Sequence, residues 1–403
     1  MSDQTVVVVG ASLAGVTSAA TIRDSGHDGP IVVLDPSPEL PPDRPPLSKQ
    51  VLAGLWEPEQ ATSRAASRMI AAGVDLRLGV AAVSLDAGTR TVTTSDGDRI
   101  DAAGIVIATG ASPRRLGDQL AGVHVLRTLE DCLALRAELD DDPARVAVIG
   151  AGFIGAEVAA TCRGRGLDVT MIEAAPLPLG RVLPGDIGGF IVDLHRGHGV
   201  DVRLGVGVDA LAADDEGRVR VVRMADGTDV EATVVVVGIG VVPSIAWLEG
   251  SGLVLDDGVS CDETLLAAPG IVAAGDVASW PNRRFGQVMR VEQWENAVEQ
   301  GEHAGRRVLA EMGLGESPGA FRPIPWFWSD QYDRKLQMAG RPSGEDVMEV
   351  VEGSIEEQRF VALFRRGDTA CAVLGVNRPR HVMQARMAMV ESLDWAPVRG
   401  LFQ

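Results

Sequence analysis

Short runs of apolar residues, each long enough for one buried strand, recur along the chain and lead into glycines. Four such runs occupy residues 6–9, 105–108, 146–149 and 234–237. Segments with a helical pattern separate these runs through most of the sequence. Strands that alternate with helices in this way predict doubly wound α/β domains built on parallel sheets.

Two of these runs are followed by glycine loops whose spacing is typical of dinucleotide binding. Residues 10–15 read GASLAG, and residues 150–155 read GAGFIG. The first glycine allows a tight turn, the second lets the backbone approach a pyrophosphate, and the third lets helix pack closely on strand. The N-terminus of the following helix then faces the phosphates. Ser12 stands where the second glycine is expected, so its side chain must turn away from the pyrophosphate or donate a hydrogen bond to it.

An acidic residue ends the next strand of both repeats, about 20 residues beyond the loop, where ribose hydroxyls are bound. These residues are Asp35 and Glu173. Two loops, each with its strand, helix and acidic residue in place, indicate two nucleotides held face to face, as electron transfer between a nicotinamide and a flavin requires. Residues 174–176 are Ala-Ala-Pro, without an arginine. Because a carboxylate accepts from a 2′-hydroxyl and repels a 2′-phosphate, we predict a preference for NADH over NADPH.

Size and charge restrict the class of protein further. The chain has 403 residues, an apolar fraction of 46% and a net charge of −19. The length allows two to four domains, and the negative charge argues against nucleic acid as a partner. We find neither a signal-peptide pattern nor an apolar run of about 18 residues. We therefore expect a cytoplasmic protein that does not enter a membrane.

The cysteines exclude several redox mechanisms. The four cysteines are Cys132, Cys162, Cys261 and Cys371, and residues 1–131 contain none. A disulfide reductase needs a cysteine pair beside its flavin, and a flavin peroxidase or water-forming oxidase of similar architecture needs one cysteine there. None of the cysteines has the spacing of a zinc or iron–sulfur site, so we predict small buried side chains and no metal site.

The order of the patterns suggests one nucleotide domain inserted into another. We predict a first domain of residues 1–111 and 244–318, and a second of residues 112–243. From about residue 319 the composition changes to an aromatic and proline-rich segment. It is followed by predicted strands near 360–364 and 370–376 and a closing helix near 382–391. Residues 319–403 are therefore predicted to form a third, α+β domain.

Four longer motifs carry a resemblance to a known family. They are RPPLSK at 44–49, TLLAAPGIVAAGD at 264–276, RVEQWENA at 290–297 and PWFWSDQY at 325–332. With the glycine loops, they resemble the FAD-dependent ferredoxin reductases that serve bacterial P450s and ring-hydroxylating dioxygenases, over essentially the whole chain. The resemblance implies two Rossmann-like domains of glutathione-reductase-like architecture plus a C-terminal α+β domain.

The resemblance also implies roles for individual residues. Lys49 would lie by the isoalloxazine ring of FAD, with Glu157 approaching it, and Trp328 would lie over the flavin edge; these three form the predicted catalytic set. Trp326 and Phe327 are predicted to be packing residues. Electrons would pass from NADH through FAD to an iron–sulfur ferredoxin.

The predicted binding residues form two sets. Those for FAD are Gly10, Ser12, Leu13, Ala14, Gly15, Asp35, Arg44, Lys49, Ala108, Thr109, Gly110, Arg127, Gly275, Asp276, Glu292, Gln293 and Trp294. Those for NADH are Gly150, Gly152, Phe153, Ile154, Gly155, Glu173, Arg181, Gly238, Ile239 and Gly240. Phe153 is assigned equally to a nicotinamide pocket and to ordinary helix packing.

The implied partner is a ferredoxin that docks transiently through charge. Because such ferredoxins are usually acidic, docking would need a local basic patch, for which residues 283–284, 306–307 and 334–335 are candidates. We expect a monomer. Two alternatives stay open: an NADH oxidase or quinone-type small-molecule reductase, and a redox-sensing interaction protein of the apoptosis-inducing-factor type.

Overall fold

The computed structural model describes residues 4–117, 120–140, 145–180 and 182–402. Its α-helices, in chain order, are α1 (Leu13–Asp24), α2 (Arg64–Ala71), α3 (Leu129–Leu139), α4 (Phe153–Gly164), α5 (Gly185–Gly197), α6 (Trp294–Glu311), α7 (Pro379–Glu391) and α8 (Trp395–Gly400). Its strands are β1 (Val6–Val9), β2 (Ile31–Asp35), β3 (Asp75–Leu78), β4 (Ala82–Asp86), β5 (Thr91–Thr94), β6 (Arg99–Asp101), β7 (Gly104–Ile107), β8 (Ala111–Pro113), β9 (Val123–His124), β10 (Arg145–Ile149), β11 (Asp168–Glu173), β12 (Asp201–Leu204), β13 (Val208–Ala213), β14 (Val219–Met224), β15 (Asp229–Glu231), β16 (Val234–Val237), β17 (Val241–Pro243), β18 (Leu255–Asp256), β19 (Gly258–Ser260), β20 (Leu266–Ala268), β21 (Ile271–Ala273), β22 (Ala278–Asn282), β23 (Gln287–Arg290), β24 (Trp326–Gln331), β25 (Arg334–Gly340), β26 (Val347–Ser354), β27 (Arg359–Arg366) and β28 (Thr369–Val376).

The chain divides into two compact units. Unit 1 comprises Met1–Asp43, Thr62–Ser112 and Val242–Pro325. Unit 2 comprises Arg44–Ala61, Pro113–Val241 and Trp326–Gln403. Among the described helices, none combines the length and hydropathy that a membrane-spanning segment needs.

Unit 1 is built on a sheet with the strand order β20-β21-β7-β1-β2-β3. At its centre, β1 runs parallel to both β2 and β7. Successive side chains of a strand point to opposite faces, and here Val6 and Val8 belong to one apolar cluster while Val7 and Val9 belong to another. Both faces of the sheet are therefore covered, which explains why β1 is apolar at every position.

Small residues let α1 and α6 approach closely within unit 1. A Cβ added at Gly301 would lie 2.7 Å from the carbonyl oxygen of Ala14, and one at Gly305 would lie 3.0 Å from that of Ser18. The Ser18 hydroxyl also donates to the Gly301 carbonyl at 3.0 Å. This contact sets α6 directly beside the helix that follows the first glycine loop.

Unit 2 repeats the parallel-sheet design in the strand order β12-β11-β10-β16-β9. Its central strand β10 runs parallel to β11 and β16, as β1 does to its neighbours. Val146 and Val148 pack into one cluster, and Ala147 and Ile149 pack into another. The two apolar runs that precede the glycine loops thus have the same structural position, as the repeated sequence pattern predicts.

The C-terminal part of unit 2 is an antiparallel sheet with the order β24-β25-β28-β27-β26. The strands predicted near 360–364 and 370–376 are confirmed as β27 and β28, and the closing helix is confirmed as α7. Helix α5 packs on this sheet, with the rings of Phe190 and Phe360 5.5 Å apart.

Residues 44–61 belong to unit 2, whereas the sequence-based division places them with residues 1–111. Leu47 and Leu52 share an apolar cluster with Cys132 and Leu135 of α3. The Cys132 thiol donates to the Leu47 carbonyl at 3.2 Å. Segments distant in sequence thus form one core, a contact that local patterns do not reveal; the three-domain division itself stays a prediction.

Candidate functional site

The first glycine loop joins β1 to α1 and requires glycine at two positions. Gly10 has φ of +108°, and a Cβ added there would lie 2.4 Å from the carbonyl oxygen of Ala108. A Cβ at Gly15 would lie 1.8 Å from the Gly10 carbonyl oxygen. Ser12 is the N-cap residue of α1 and has an extended backbone, and Leu13 begins the helix. The described first turn of α1 carries no acidic residue, so its positive end is suited to an anion.

Asp35 and Glu173 brace their glycine loops in the same way. Asp35 accepts a hydrogen bond from the Ala11 amide at 2.7 Å, and Glu173 accepts from the Ala151 amide at 3.0 Å. Each carboxylate also accepts from the amide two residues beyond it, at Ser37 and Ala175. The structure therefore brings each predicted acid to its own loop, where it fixes the loop backbone.

A second group of predicted FAD residues lies around the start of α1 in unit 1. Gly275, with φ of +79°, is so close to α1 that an added Cβ would lie 2.9 Å from the Ala14 side chain. Its amide donates to the Gln300 side chain of α6 at 2.7 Å. Residues 108–110 follow β7, the neighbour of β1, and the Thr109 hydroxyl donates to the Ser244 carbonyl at 2.9 Å. Asp276, next to Gly275, is thereby held near the first loop.

The start of α6 carries buried polar atoms that suit a polar ligand. Within the described residues, Gln293 Oε1, Asn296 Oδ1 and Gln300 Nε2 are buried and have no hydrogen-bond partner. Burying such groups unsatisfied is costly, so a bound molecule with complementary polar groups is expected there. With the anion-binding helix end beside it, this region fits FAD.

Two predicted FAD residues near α6 have protein partners. Glu292 pairs with Arg290 at 2.6 Å. The Trp294 indole N–H donates to the Asp43 carboxylate at 2.5 Å. Trp294 therefore anchors the segment that precedes the RPPLSK motif. Of the predicted FAD set, Arg44, Lys49 and Arg127 are in unit 2 and all the others are in unit 1.

The second glycine loop, in unit 2, joins β10 to α4. A Cβ added at Gly150 would lie 2.4 Å from the Gly238 carbonyl oxygen, and one at Gly155 would lie 2.0 Å from that of Gly150. A Cβ at Gly152 would meet nothing within 4 Å, so the backbone there is open to a ligand. Residues 238–240 follow β16 and flank this loop, as the sequence predicts.

Side chains beside the second loop differ in what they contact. Ile154 and Ile239 are exposed, at 51% and 36%, and can cover the apolar part of a nucleotide. The Phe153 ring packs edge-on against Phe327, with centroids 4.6 Å apart, so it has a packing role. The predicted residue Arg181 lies outside the described residues.

Lys49 and Glu157 form a buried ion pair within unit 2. The Lys49 ammonium lies 2.8 Å from Glu157 Oε2, and the two side chains are 12% and 4% exposed. The hydroxyl of Ser48 donates to the same oxygen at 2.5 Å. The other carboxylate oxygen accepts from the Ser329 hydroxyl at 2.8 Å and from the Asp330 amide at 3.3 Å.

Ser48 and Ser329 are site residues that the sequence reasoning missed. Both lie inside motifs singled out for other residues: Ser48 directly precedes Lys49, and Ser329 directly follows Trp328. A buried carboxylate needs several hydrogen-bond donors, and the hydroxyl inside each motif was the sequence signal for two of them. Together the donors satisfy both oxygens of Glu157, which makes its burial with Lys49 tolerable.

Trp328 lies on the opposite face of β24 from the ion pair. Side chains alternate along a strand, so Phe327, Ser329 and Gln331 share the face that reaches Phe153 and Glu157. Trp328 shares the other face with Trp326, whose ring centroid lies 5.4 Å away. The structure thus unites Lys49 and Glu157 but does not place Trp328 beside them within the unit.

Five of the six basic residues considered for docking lie close to a carboxylate. The sixth, Arg284, donates to the Arg322 carbonyl at 3.2 Å. In unit 1, Arg283 pairs with Glu263, and Arg306 lies 3.5 Å from Glu302. Arg307 is buried and pairs with Glu311 at 2.7 Å, so its prediction as a docking residue is wrong.

In unit 2, the candidates are the first two residues of β25, directly after the turn that joins it to β24. Arg334 pairs with Asp333, and Lys335 lies 2.7 Å from Asp330. The Lys335 side chain is still 46% exposed, so a partner can reach it.

Two nucleotide-binding folds, a helix start with unused polar atoms and a buried Lys–Glu pair together define a two-nucleotide oxidoreductase. Comparison with known proteins supports this class. Residues 4–301 match the pyridine nucleotide-disulphide oxidoreductase family, and residues 326–399 match the reductase C-terminal family. The chain belongs to the pyridine nucleotide-disulphide oxidoreductase family, which confirms the predicted resemblance and fold class.

Similarity to ferredoxin reductases extends over nearly the whole chain. The chain is 37% identical to rhodocoxin reductase from Rhodococcus erythropolis, over 97% of its own length and 91% of that protein. It is 34% identical to putidaredoxin reductase from Pseudomonas putida, over 98% and 94%. The solved ferredoxin reductase for the CYP199A2 system from Rhodopseudomonas palustris has a TM-score of 0.92 at 33% identity and covers 99% of this chain and 100% of its own.

Proposed function

We propose that this protein is an NADH-dependent flavoprotein that reduces an iron–sulfur ferredoxin of a P450 or ring-hydroxylating oxygenase system. The observation that carries the proposal is the buried Lys49–Glu157 pair in a chain whose full-length relatives are ferredoxin reductases. One solved relative is a covalent complex of putidaredoxin reductase with putidaredoxin, at 34% identity and a TM-score of 0.90.

FAD and NADH are the cofactors that the two loops suit. The chemistry that bound FAD supplies is exchange between the hydride of NADH and the single electrons of an iron–sulfur cluster. In unit 1, the α1 N-terminus and the 275–276 turn would hold the FAD, with the unsatisfied polar atoms of α6 as further contacts. In unit 2, the open backbone at Gly152 would hold the pyrophosphate of NADH.

The proposed role of Lys49 is to provide a positive charge whose position is fixed. Glu157 fixes the ammonium by a 2.8 Å contact, and three further donors, the Ser48 and Ser329 hydroxyls and the Asp330 amide, fix the carboxylate. A fixed cation stabilises negative charge that develops beside it without reorganising during the reaction. The cysteines support the assignment indirectly: residues 1–131 contain none, so the chain has no thiol there for disulfide or peroxide chemistry.

We also propose that NADH is preferred over NADPH because of Glu173. Its carboxylate is held by the amides of Ala151 and Ala175, at the end of β11. A 2′-phosphate would meet this negative charge, whereas a 2′-hydroxyl can donate to it. The preference should appear as a higher kcat/KM for NADH than for NADPH. Glu173→Gln should lower the ratio of these two values.

The partner would dock on the C-terminal part of unit 2. Arg and Lys nearly balance Asp and Glu over residues 326–403, so almost all of the net charge of −19 lies upstream. An acidic ferredoxin would be repelled least there.

We further propose a cytoplasmic monomer; among the described residues all four cysteines are free thiols, as expected in a reducing compartment.

The decisive experiment mixes the flavin-loaded protein with NADH anaerobically and measures the loss of flavin absorbance. Cytochrome c reduction is then measured with and without candidate iron–sulfur ferredoxins. The proposal expects rapid bleaching by NADH and cytochrome c reduction that depends strongly on one ferredoxin. Bleaching with no gain from any ferredoxin would contradict the electron-transfer role and favour an oxidase, small-molecule reductase or sensor.

A further inference from the structure

A continuous chain of hydrogen bonds leads from Glu157 into the interior of unit 2, away from its lysine partner. The Ser329 hydroxyl contacts Glu157 Oε1 at 2.8 Å, and Gln331 Nε2 contacts the Ser329 hydroxyl at 3.2 Å. Gln331 Oε1 lies 3.2 Å from His195 Nε2, and His195 Nδ1 lies 2.9 Å from the Tyr332 hydroxyl. Four hydrogen bonds thus connect the carboxylate to the hydroxyl of Tyr332.

The central part of this chain is sealed from solvent. Ser329, Gln331 and His195 are each 0% exposed. They come from two elements, strand β24 of the C-terminal sheet and helix α5, and apolar residues of α5 and of this sheet share one cluster. In such surroundings a polar group left without a partner is costly, so the hydrogen-bond pattern is tightly specified.

The charge of Glu157 determines the direction of every bond in the chain. A carboxylate paired with Lys49 can only accept, so Ser329 must donate to it. The Ser329 oxygen must then accept from Gln331 Nε2, which directs Gln331 Oε1 toward the histidine. Because an amide oxygen only accepts, the histidine must donate to it.

His195 is thereby fixed in one tautomer. Its proton lies on Nε2, so Nδ1 is an acceptor and the Tyr332 hydroxyl donates to it. Burial lowers the pKa of His195 to about 4, which keeps the ring neutral near pH 7. The ring of His198 stacks on Tyr332 with centroids 3.6 Å apart and holds the last donor in place.

We propose that Ser329, Gln331, His195 and Tyr332 are positioning residues for the Lys49–Glu157 pair. All four donors point toward the carboxylate, so each hydrogen bond polarises the next and the chain stabilises negative charge on Glu157. Neutralising Glu157 removes the negative charge that polarises these hydrogen bonds, so we expect the environment of Tyr332 at the far end to change. The hydrogen-bond chain stands without any assumption about activity, whereas its effect on turnover depends on the proposed function.

Tyr332 is the only tyrosine of the protein, which allows a direct test. Incorporating 3-fluorotyrosine into the flavin-loaded protein should give one ¹⁹F resonance. We expect Glu157→Gln to shift this resonance. The matched control is Glu138→Gln. It neutralises a carboxylate of unit 2 that pairs with Arg218 and takes no part in the hydrogen-bond chain, so it should leave the resonance unchanged. An unmoved resonance in Glu157→Gln would overturn the proposal.

The tautomer of His195 gives a second readout. In ¹⁵N-histidine-labelled protein, the His195 signals, identified by their loss in His195→Gln, should show the proton on Nε2. Finding the proton on Nδ1 would contradict the deduced direction even if the fluorine resonance moved.

The effect on the reaction is tested at Ser329. Ser329→Ala removes one donor to a charged group, and we expect flavin reduction by NADH to slow about tenfold. The flavin reduction potential should change in the same variant, which a purely structural defect would not require. Ser329→Thr retains the hydroxyl and should restore most of both. Equal loss in the Ala and Thr variants would contradict positioning through the hydroxyl.

The two proposals can fail separately. If NADH does not bleach the wild-type flavin, the proposed function fails, while the fluorine and nitrogen spectra still decide whether the chain exists. If bleaching is normal but Glu157→Gln leaves Tyr332 unchanged, the function stands and the positioning role is wrong.

Discussion

At the scale of single residues, Gly152 and Ser12 occupy the same position in the two glycine loops and have nearly the same extended backbone. Gly152 has φ of −69°, which any residue can adopt, and a Cβ there would meet nothing within 4 Å. Neither backbone strain nor packing therefore explains a glycine at this position. The remaining reason is a ligand that approaches the backbone, which is the reading that the loop pattern gives.

Gly152→Ala should separate binding from folding. We expect the KM for NADH to rise about tenfold or more, because the added methyl group stands where the pyrophosphate approaches. Thermal stability should be unchanged or slightly higher. Gly164→Ala is the matched control, since Gly164 is the last residue of the helix that Gly152 caps and also has nothing within 4 Å of an added Cβ. A similar rise in KM for both variants would argue against a pyrophosphate contact at Gly152.

At the scale of elements, the contact between α1 and α6 determines where the FAD residues of unit 1 stand. Gly301 allows the two helices to touch, and the Gly275 amide donates to the side chain of Gln300, the preceding residue of α6. Since α1 begins at the glycine loop and α6 begins at the polar Gln293 segment, a shift between these helices moves both groups of predicted ligands.

Gly301→Ala should destabilise unit 1 and weaken FAD retention together. The added Cβ would lie 2.7 Å from a backbone oxygen of α1, which cannot move without displacing the helix. We expect a loss of about 1–3 kcal/mol in the free energy of unfolding, typical of overpacking. Denaturation and FAD release would be measured on the same samples. Gly315→Ala, where an added Cβ meets nothing within 4 Å, should change neither.

Local patterns predicted the repeated elements well because those elements depend on neighbouring residues. The apolar runs before Gly10 and Gly150 form central strands, and α7 lies where helical spacing indicated it. The contacts of Glu157 with Ser48 and Ser329 were not predictable in that way, because they join residues more than a hundred positions apart. Such contacts depend on how residues 44–61 and β24 pack on α4, which no local pattern encodes.

At the scale of the whole molecule, the distribution of charge matters for a charged partner. Residues 326–403 are nearly neutral in a chain of net charge −19. The one lysine of this part is Lys335, whose side chain is 46% exposed; the protein's other lysine is Lys49. A local region of low negative charge can admit an acidic protein that the rest of the surface repels.

Lys335→Glu should slow ferredoxin reduction several-fold at low salt while sparing ferricyanide reduction, because the small acceptor needs no docking surface. Raising the salt concentration should reduce the difference from wild type. Arg283→Glu makes the same charge change in unit 1, at a side chain 66% exposed, and should have little effect. Equal slowing in both variants would point to net charge rather than to a docking site at the β24–β25 turn.

Both units should lose stability in mild acid because each contains a buried histidine. Burial lowers the pKa of His195 in unit 2 and of His303 in unit 1 to about 4. Well above pH 6.5, neither histidine binds a proton in the folded or the unfolded chain, so neither affects stability there. As the pH falls from 6.5 toward 4, the unfolded chain takes up protons that the folded chain excludes. The free energy of unfolding then decreases, by on the order of 1–3 kcal/mol per histidine near pH 4.

The window between pH 6.5 and 5 isolates this effect, because most carboxylates titrate below it. Denaturant unfolding of the flavin-loaded protein at several pH values would give the slope. His303→Gln should reduce the slope for unit 1, since it removes one of the two buried histidines there whose pKa burial lowers; the other is His27. An unchanged slope in His303→Gln would mean that the acid lability arises elsewhere.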